Sequence, residues 1–187
     1  MRVPKAVAAL ALSMLVGAST LHAQGAEFSL GGGIANPLGT FNDFTKLGWM
    51  GLAAISFVPT GSPLGIQIDG QYQQFPFDAG GGHDRFLIGT GNLVYKFKTS
   101  EDTKFRPYLI AGGGVYNYKA TGSSTVSGNV STTGSTTKFG VNAGAGFDYK
   151  AGGGAGLFVE GRFHNVFRTG SDISFIPITV GIRFGGT

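Results

Sequence analysis

Asp69, Glu160, Arg162 and Arg183 each sit at the polar parity of a segment whose alternate positions are apolar, as in L-G-I-Q-I-D-G-Q-Y-Q and V-E-G-R-F-H. In an extended chain, side chains of one parity share one face, so each charge points away from the greasy side. Carboxylates and guanidiniums sharing a confined interior must pair, because an unpaired buried charge costs several kcal/mol. The pattern predicts a lumen charge network that plugs an interior, with Asp69 and Arg162 near mid-strand on opposed strands. Glu160 is expected at about the level that Arg183 reaches on the closing strand.

Other chemistry is sparse. The chain has three histidines and no cysteine, which rules out disulfides and thiolate metal sites. His83 stands beside Asp84, and two ligands do not make a metal site. His164 follows Arg162 by two positions and so shares its polar parity, with Asn165 and Val166 after it. The glycine runs Gly31 to Gly33, Gly80 to Gly82 and Gly112 to Gly114 are not followed by Lys-Ser/Thr and open no helix, so nucleotide fingerprints fail on context. Catalytic, cofactor-binding and metal residues are therefore assigned as none, and the expectation is a non-enzyme without cofactors.

The elements that position these residues follow from composition and period. Glycine makes up 34 of 187 residues, about 18% against an average near 7%, which opposes long helices. Charged residues are 13%, where a soluble domain carries about 25%, so part of the surface faces something other than water. From Glu27 onward, period-two segments follow one another between turn residues. The markers are Phe28, Leu30 and Ile34 in the first, Trp49, Ala53, Ile55 and Phe57 in the second, and Leu64, Ile66, Ile68 and Tyr72 in the third. Leu87, Leu93, Tyr95 and Phe97 mark the fourth; Tyr108, Ile110, Tyr116 and Tyr118 the fifth. The sixth runs from Phe139 to Tyr149, the seventh holds Leu157, Val159, Phe163 and Phe167, and the eighth spans Ser174 to Phe184. Met50 and Leu52 blur the alternation of the second.

Arg2 and Lys5 precede an apolar run from Ala6 to Gly17, and Leu21-His22-Ala23 offers a small residue for cleavage. This reads as a signal peptide over 1–23, its apolar run too short for the ~20 residues a spanning helix needs, followed by a single domain over 24–187. Removing Arg2 and Lys5 lowers the net charge from +4 to +2. The remaining cations are not clustered enough for a nucleic-acid face, so no nucleic-acid partner is expected.

The stretches P-Y-L-I-A-G-G-G-V-Y, F-G-V-N-A-G-A-G-F-D-Y and V-E-G-R-F-H, with the closing S-F-I-P-I-T-V-G-I-R-F, resemble the small eight-stranded outer-membrane proteins related to the OmpA transmembrane domain and to the opacity-type surface proteins. The resemblance implies an all-β, antiparallel up-and-down transmembrane β-barrel in the outer membrane of a Gram-negative bacterium, amid outer-membrane lipid and lipopolysaccharide. It also implies recognition by the barrel-assembly machinery through Ile176, Ile178, Val180, Ile182 and Phe184, although Gly185, Gly186 and Thr187 follow the aromatic here. Relatives serve as adhesins, evasion factors and envelope scaffolds. Some barrels of this size modify lipid A with a Ser and a His near the outer rim, which makes a lipid A deacylase or acyltransferase the alternative, with a small-solute pore as a further one.

Turn lengths orient such a barrel, since periplasmic links are short and outer loops long. Pro59 to Ser62, Thr99 to Thr103 and Ala151 to Gly154 form the short set; Ala35 to Leu47, Phe77 to Asp84, Ala120 to Thr137 and Arg168 to Asp172 the outer one. Aromatics sort into two interfacial belts, with Tyr108 in the inner belt and Tyr116 and Tyr118 in the outer. The Ser-, Thr- and Gly-rich loop from Ala120 to Thr137 buries too little apolar surface to order itself, and is the candidate for contact with a surface ligand.

Overall fold

The computed structural model describes residues 25–78, 81–100, 103–123, 135–152 and 154–185. The leader at 1–23 and most of the loop between Ala120 and Thr137 lie outside these residues. Eight strands follow in chain order: β1 Ala26–Leu38, β2 Gly48–Phe57, β3 Leu64–Pro76, β4 Gly81–Lys96, β5 Phe105–Ser123, β6 Thr136–Gly152, β7 Ala155–Val166 and β8 Ile173–Gly185. Each pairs antiparallel with its chain neighbours and β8 pairs with β1, from Glu27 opposite Gly185 to Leu38 opposite Ser174, so the sheet closes into a barrel. A single turn of 3-10 helix, Gly39–Phe41, follows β1.

The faces are reversed relative to a soluble barrel. Ile68 is 69% exposed and Val180 54%, while their neighbours Asp69 and Thr179 are 3% and 2% exposed. An apolar exterior around a polar interior is the arrangement that a lipid surround stabilises. Aromatics ring both ends of this belt, Phe57, Phe97 and Phe105 at one end and Trp49, Phe139 and Phe167 at the other. The end carrying the connections after β1, β3, β5 and β7 is termed the loop end below, and the opposite one the turn end.

Strand β5 corrects the sequence reading. Tyr108, Ile110 and Tyr116 face the lumen at 1%, 2% and 0% exposure, and Leu109 and Val115 face outward. Tyr118, of the same parity, stacks on the buried Phe86 at 5.7 Å, so Tyr108, Tyr116 and Tyr118 are not belt residues. The rings of Tyr108 and Tyr116 fit inside because the facing strand supplies glycine: a Cβ on Gly146 would come within 2.5 Å of the Tyr108 ring, and one on Gly140 within 2.7 Å of the Tyr116 ring. Their hydroxyls find buried polar partners, which a lipid-facing ring could not. Met50 and Leu52, which blur β2, also point inward and pack with Ala54 against Phe158 of β7.

The loops are corrected as well. Phe77 to Asp84 is no long loop, because β4 begins at Gly81. The β3-β4 and β4-β5 ladders instead run on to His83 opposite Pro76 and Ser123 opposite Gly81, so the loop end is marked by protruding ribbon as much as by loop length.

Candidate functional site

The lumen is filled in three tiers. Nearest the loop end is an aromatic tier. Phe75 of β3, Phe86 of β4 and Phe175 of β8 converge with centroids 5.5 to 5.7 Å apart. Phe41, carried in by the 3-10 turn, caps them edge-on at 5.1 Å from Phe75 and 5.9 Å from Phe86. Thr45 Oγ1 donates to the Phe41 carbonyl at 2.6 Å, and Lys46 pairs with Asp78 at 3.2 Å, tying this loop to the end of β3. Below, His164 stacks on Phe175 at 5.1 Å, and its Nδ1 shares a 2.8 Å hydrogen bond with the Tyr116 hydroxyl.

The middle tier is charged. Asp69 accepts five hydrogen bonds: Gln71 Nε2 at 3.0 Å and Thr90 Oγ1 at 2.8 Å on Oδ1, then Gln67 Nε2 at 3.1 Å, Asn92 Nδ2 at 2.8 Å and Arg162 Nη1 at 2.8 Å on Oδ2. Arg162 turns its Nε and Nη2 to Glu160 Oε1, and the Tyr108 hydroxyl donates to Glu160 Oε2 at 3.0 Å. Gln73 Nε2 to Gln71 and Ser56 Oγ to Gln67 extend the web along β3 and onto β2. All four carboxylate oxygens of the triad accept hydrogen bonds and each nitrogen of the Arg162 guanidinium donates one, the condition under which buried charges are tolerable.

The third tier lies at the turn end. Lys96 Nζ donates to both Glu27 oxygens at 2.7 and 2.6 Å and lies 3.2 Å from Asp148. Arg183 reaches Asp148 through Nη1 and donates from Nε to Ser29 Oγ at 2.9 Å. Its guanidinium lies over the rings of Tyr108 and Phe158, 5.2 and 5.0 Å from their centroids. A shallow cleft of about 180 Å³ opens below this tier, lined by Lys96, Arg106, Asp148 and Arg183 among others.

Of the four charged residues singled out in the sequence, the structure brings Asp69, Glu160 and Arg162 together and holds Arg183 apart. Glu160 lies opposite Thr179 and Arg183 opposite Gly156, two inward positions away, with the Tyr108 ring between the two tiers. The expected levelling of Glu160 with Arg183 is thus corrected. Sequence reading passed over Glu27, Lys96 and Tyr108 as members. Their signal was parity: Glu27 shares the face of Ser29, and Lys96 stands between the outward Tyr95 and Phe97.

His83 and Asp84 lie at the loop end on β4, where burial raises the Asp84 carboxyl above its usual range against the opposing pull of Arg168 and His83. No group of three or more metal-ligating side chains occurs among the described residues.

No protein-family model and no curated protein matches the chain. Solved structures do. Neisserial surface protein A aligns over 87% of this chain and 98% of its own at 12% identity, with a TM-score of 0.68. Ail, the attachment invasion locus protein of Yersinia pestis, aligns over 86% and 99% at 14% identity, with a TM-score of 0.54. The outer membrane enzyme PagL aligns over 86% and 99% at 19% identity, with a TM-score of 0.50. At these identities the likeness is one of fold, and the chain folds as an eight-stranded, antiparallel up-and-down transmembrane β-barrel of the outer-membrane type.

Proposed function

We propose that this chain is a non-enzymatic barrel of the Gram-negative outer membrane, delivered by its leader, that stabilises the envelope and displays its loop end to the cell exterior. The observation that carries this reading is the filled lumen. Eight strands leave an interior that side chains can close, and here Arg162 spans it between Asp69 and Glu160 under an aromatic cap. Such an interior favours a rigid scaffold over a solute pore. Outer-membrane location is supported by the inverted faces and by the neighbours in structure.

The lipid A enzyme stands as the competing class because PagL shares the fold. His164 argues against it: the ring is 0% exposed, stacked on Phe175 and bonded to Tyr116, on the side of the wall away from lipid. A base that hydrolyses an acyl ester must reach that ester. Contact with a surface ligand through the loop between Ala120 and Thr137 belongs to the same proposal, since binding residues on rigid barrels concentrate in loops.

Two measurements test this. Purified protein in planar bilayers should give no steady conductance, and a stable ion-selective pore would move the function to solute transport. Mass spectra of lipid A from cells with and without the protein should be identical, and an acyl chain lost or gained would replace the scaffold with an enzyme.

A further inference from the structure

Past the leader the chain carries two more cations than acids, and the whole excess belongs to the strand ends and connections of the turn end. Six cations are found there, Lys96, Lys98, Lys104, Arg106, Lys150 and Arg183, against the acids Glu27, Glu101, Asp102 and Asp148. The rest of the mature chain is balanced, six cations against six acids.

Glu27 and Asp148 are already engaged. Lys96 donates to both oxygens of Glu27, while Asp148 accepts from Arg183 on Oδ1 and lies 3.2 Å from Lys96 through Oδ2. Arg106 lies opposite Asp148 on the ladder between β5 and β6, at the inward parity of Tyr108, yet it is absent from the ion pairs formed among the described residues. It lines both the cleft of about 180 Å³ and a second one of about 270 Å³ that runs under the connection between β2 and β3. Arg106, Lys96 and Glu27 are common to the two clefts and form the wall between them. Each cleft combines cations with apolar surface. Lys150 and Arg183 are joined by Tyr149 and Leu157 in the first, and Lys98 by Val58 and Pro59 in the second.

We propose that this mouth binds an acidic peptide, one carboxylate side chain entering each cleft and both reaching Arg106. A guanidinium presents its donors in a rigid planar fork, and its charge-assisted bonds to carboxylate are the strong ones. An inorganic anion would leave the apolar walls in water, whereas the methylenes of a peptide cover them. A lipid headgroup does not fit the geometry, because Arg106 and Lys96 take the inward parity while their neighbours Phe105 and Phe97 are 53% and 41% exposed on the outer face. The inference deepens the scaffold reading and rests on it: with the loop end outside, the turn end meets periplasmic chains.

The test is fluorescence anisotropy of a short peptide carrying two glutamates and an uncharged dye, added to the folded barrel in nanodiscs of neutral lipid, where both ends are open to solution. The glutamate peptide should bind at least about tenfold more tightly than its glutamine counterpart. Arg106→Gln should weaken that binding about tenfold, and Lys98→Gln with Lys150→Gln should weaken it as well, with Arg106 in place. Arg85→Gln, which removes one positive charge at the loop end, should leave it unchanged. Heat-shifted gel migration confirms that each variant is folded. Equal binding of the two peptides, wild-type binding by both turn-end variants, or an equal loss in Arg85→Gln would overturn the site. Inorganic phosphate that displaces the dye-bearing peptide as well as the unlabelled peptide does would overturn its peptide specificity. Amine labelling of Lys46 on intact cells separates the two levels of argument. Labelling from outside with no peptide bound removes this site alone, and labelling only after lysis removes the orientation on which a periplasmic partner depends.

Discussion

Arg162 on β7 and Asp69 on β3 meet across the width of the barrel, Nη1 to Oδ2 at 2.8 Å, although 93 positions separate them in the chain. Replacing Arg162 by Met would strand Asp69 and Glu160 as unpaired carboxylates, a loss of about 3 to 5 kcal/mol for a broken buried pair. Adding Asp69→Asn and Glu160→Gln should recover most of it. Urea unfolding in lipid vesicles, followed through the sole tryptophan, Trp49, measures both. Equal stability of the single and triple variants would show that the charges act independently.

Tyr108 distinguishes an interior residue from a belt residue. Its hydroxyl donates to Glu160 in a buried setting, so Tyr108→Phe should cost about 1 to 3 kcal/mol in the same unfolding assay. A belt tyrosine would lose its hydroxyl almost without cost, and that outcome would contradict the inward parity of β5.

On β8, Val180→Arg places a charge in lipid and should cost about 2 to 4 kcal/mol near the bilayer midplane. Thr179 faces a filled lumen, with its hydroxyl 3.2 Å from Met50 Sδ, so Thr179→Arg has no room either. Thr179→Val, by contrast, should cost only about 1 kcal/mol. Ready folding of Thr179→Arg would mean that the interior is wet and open.

Phe41 caps the aromatic tier from a loop, and Phe41→Ala should free that loop without opening the channel. The expected result is faster proteolysis between residues 39 and 47 and unchanged silence in bilayers, because the Arg162 tier still closes the lumen. Conductance in this variant would identify the aromatic cap as the seal.

The connection between β7 and β8 has an acid-sensitive clamp. Asp172 accepts hydrogen bonds from Asn165 Nδ2 at 3.0 Å and from the Arg168 amide at 3.1 Å, and these hold its carboxyl below its ordinary value of 3.8. A lowered folded-state value means that the clamp contributes fully above 3.8 and is lost as pH falls through the lower value. NMR titration of the Arg168 amide should therefore show it protected at pH 4 and above. Release near pH 5 would show that the clamp does not hold the carboxylate.

Strands β3, β6 and β8 were legible because one parity is long and apolar and the other small or polar. Gln67, Asp69, Gln71 and Gln73 can occupy only one side of such a wall. Strand β5 was not, since Leu109 and Val115 on one parity are as greasy as Ile110 and the two tyrosines on the other. What settles its side is on another strand, where Gly140 and Gly146 leave room for the rings. The lumen network was legible face by face and not level by level. Parity places Glu160 and Arg183 inside, but their heights depend on the stagger that closure imposes between tilted strands. Glu27 and Lys96 escaped notice because they stand at strand ends, where a charge ordinarily meets water.

The seam between β1 and β8 has a kinetic consequence. It joins positions near opposite ends of the described chain, Glu27 to Gly185, and Arg183 crosses it to Ser29, 154 positions away. Contacts of such separation are slow to form because loop-closure entropy must be met before they contribute. Until the seam shuts, Arg183 lacks Ser29, and β1 and β8 each present an unpaired edge of the kind that recruits other strands. Closure is thus the step at which a half-built sheet, open to mispairing with its neighbours, becomes a molecule without edges.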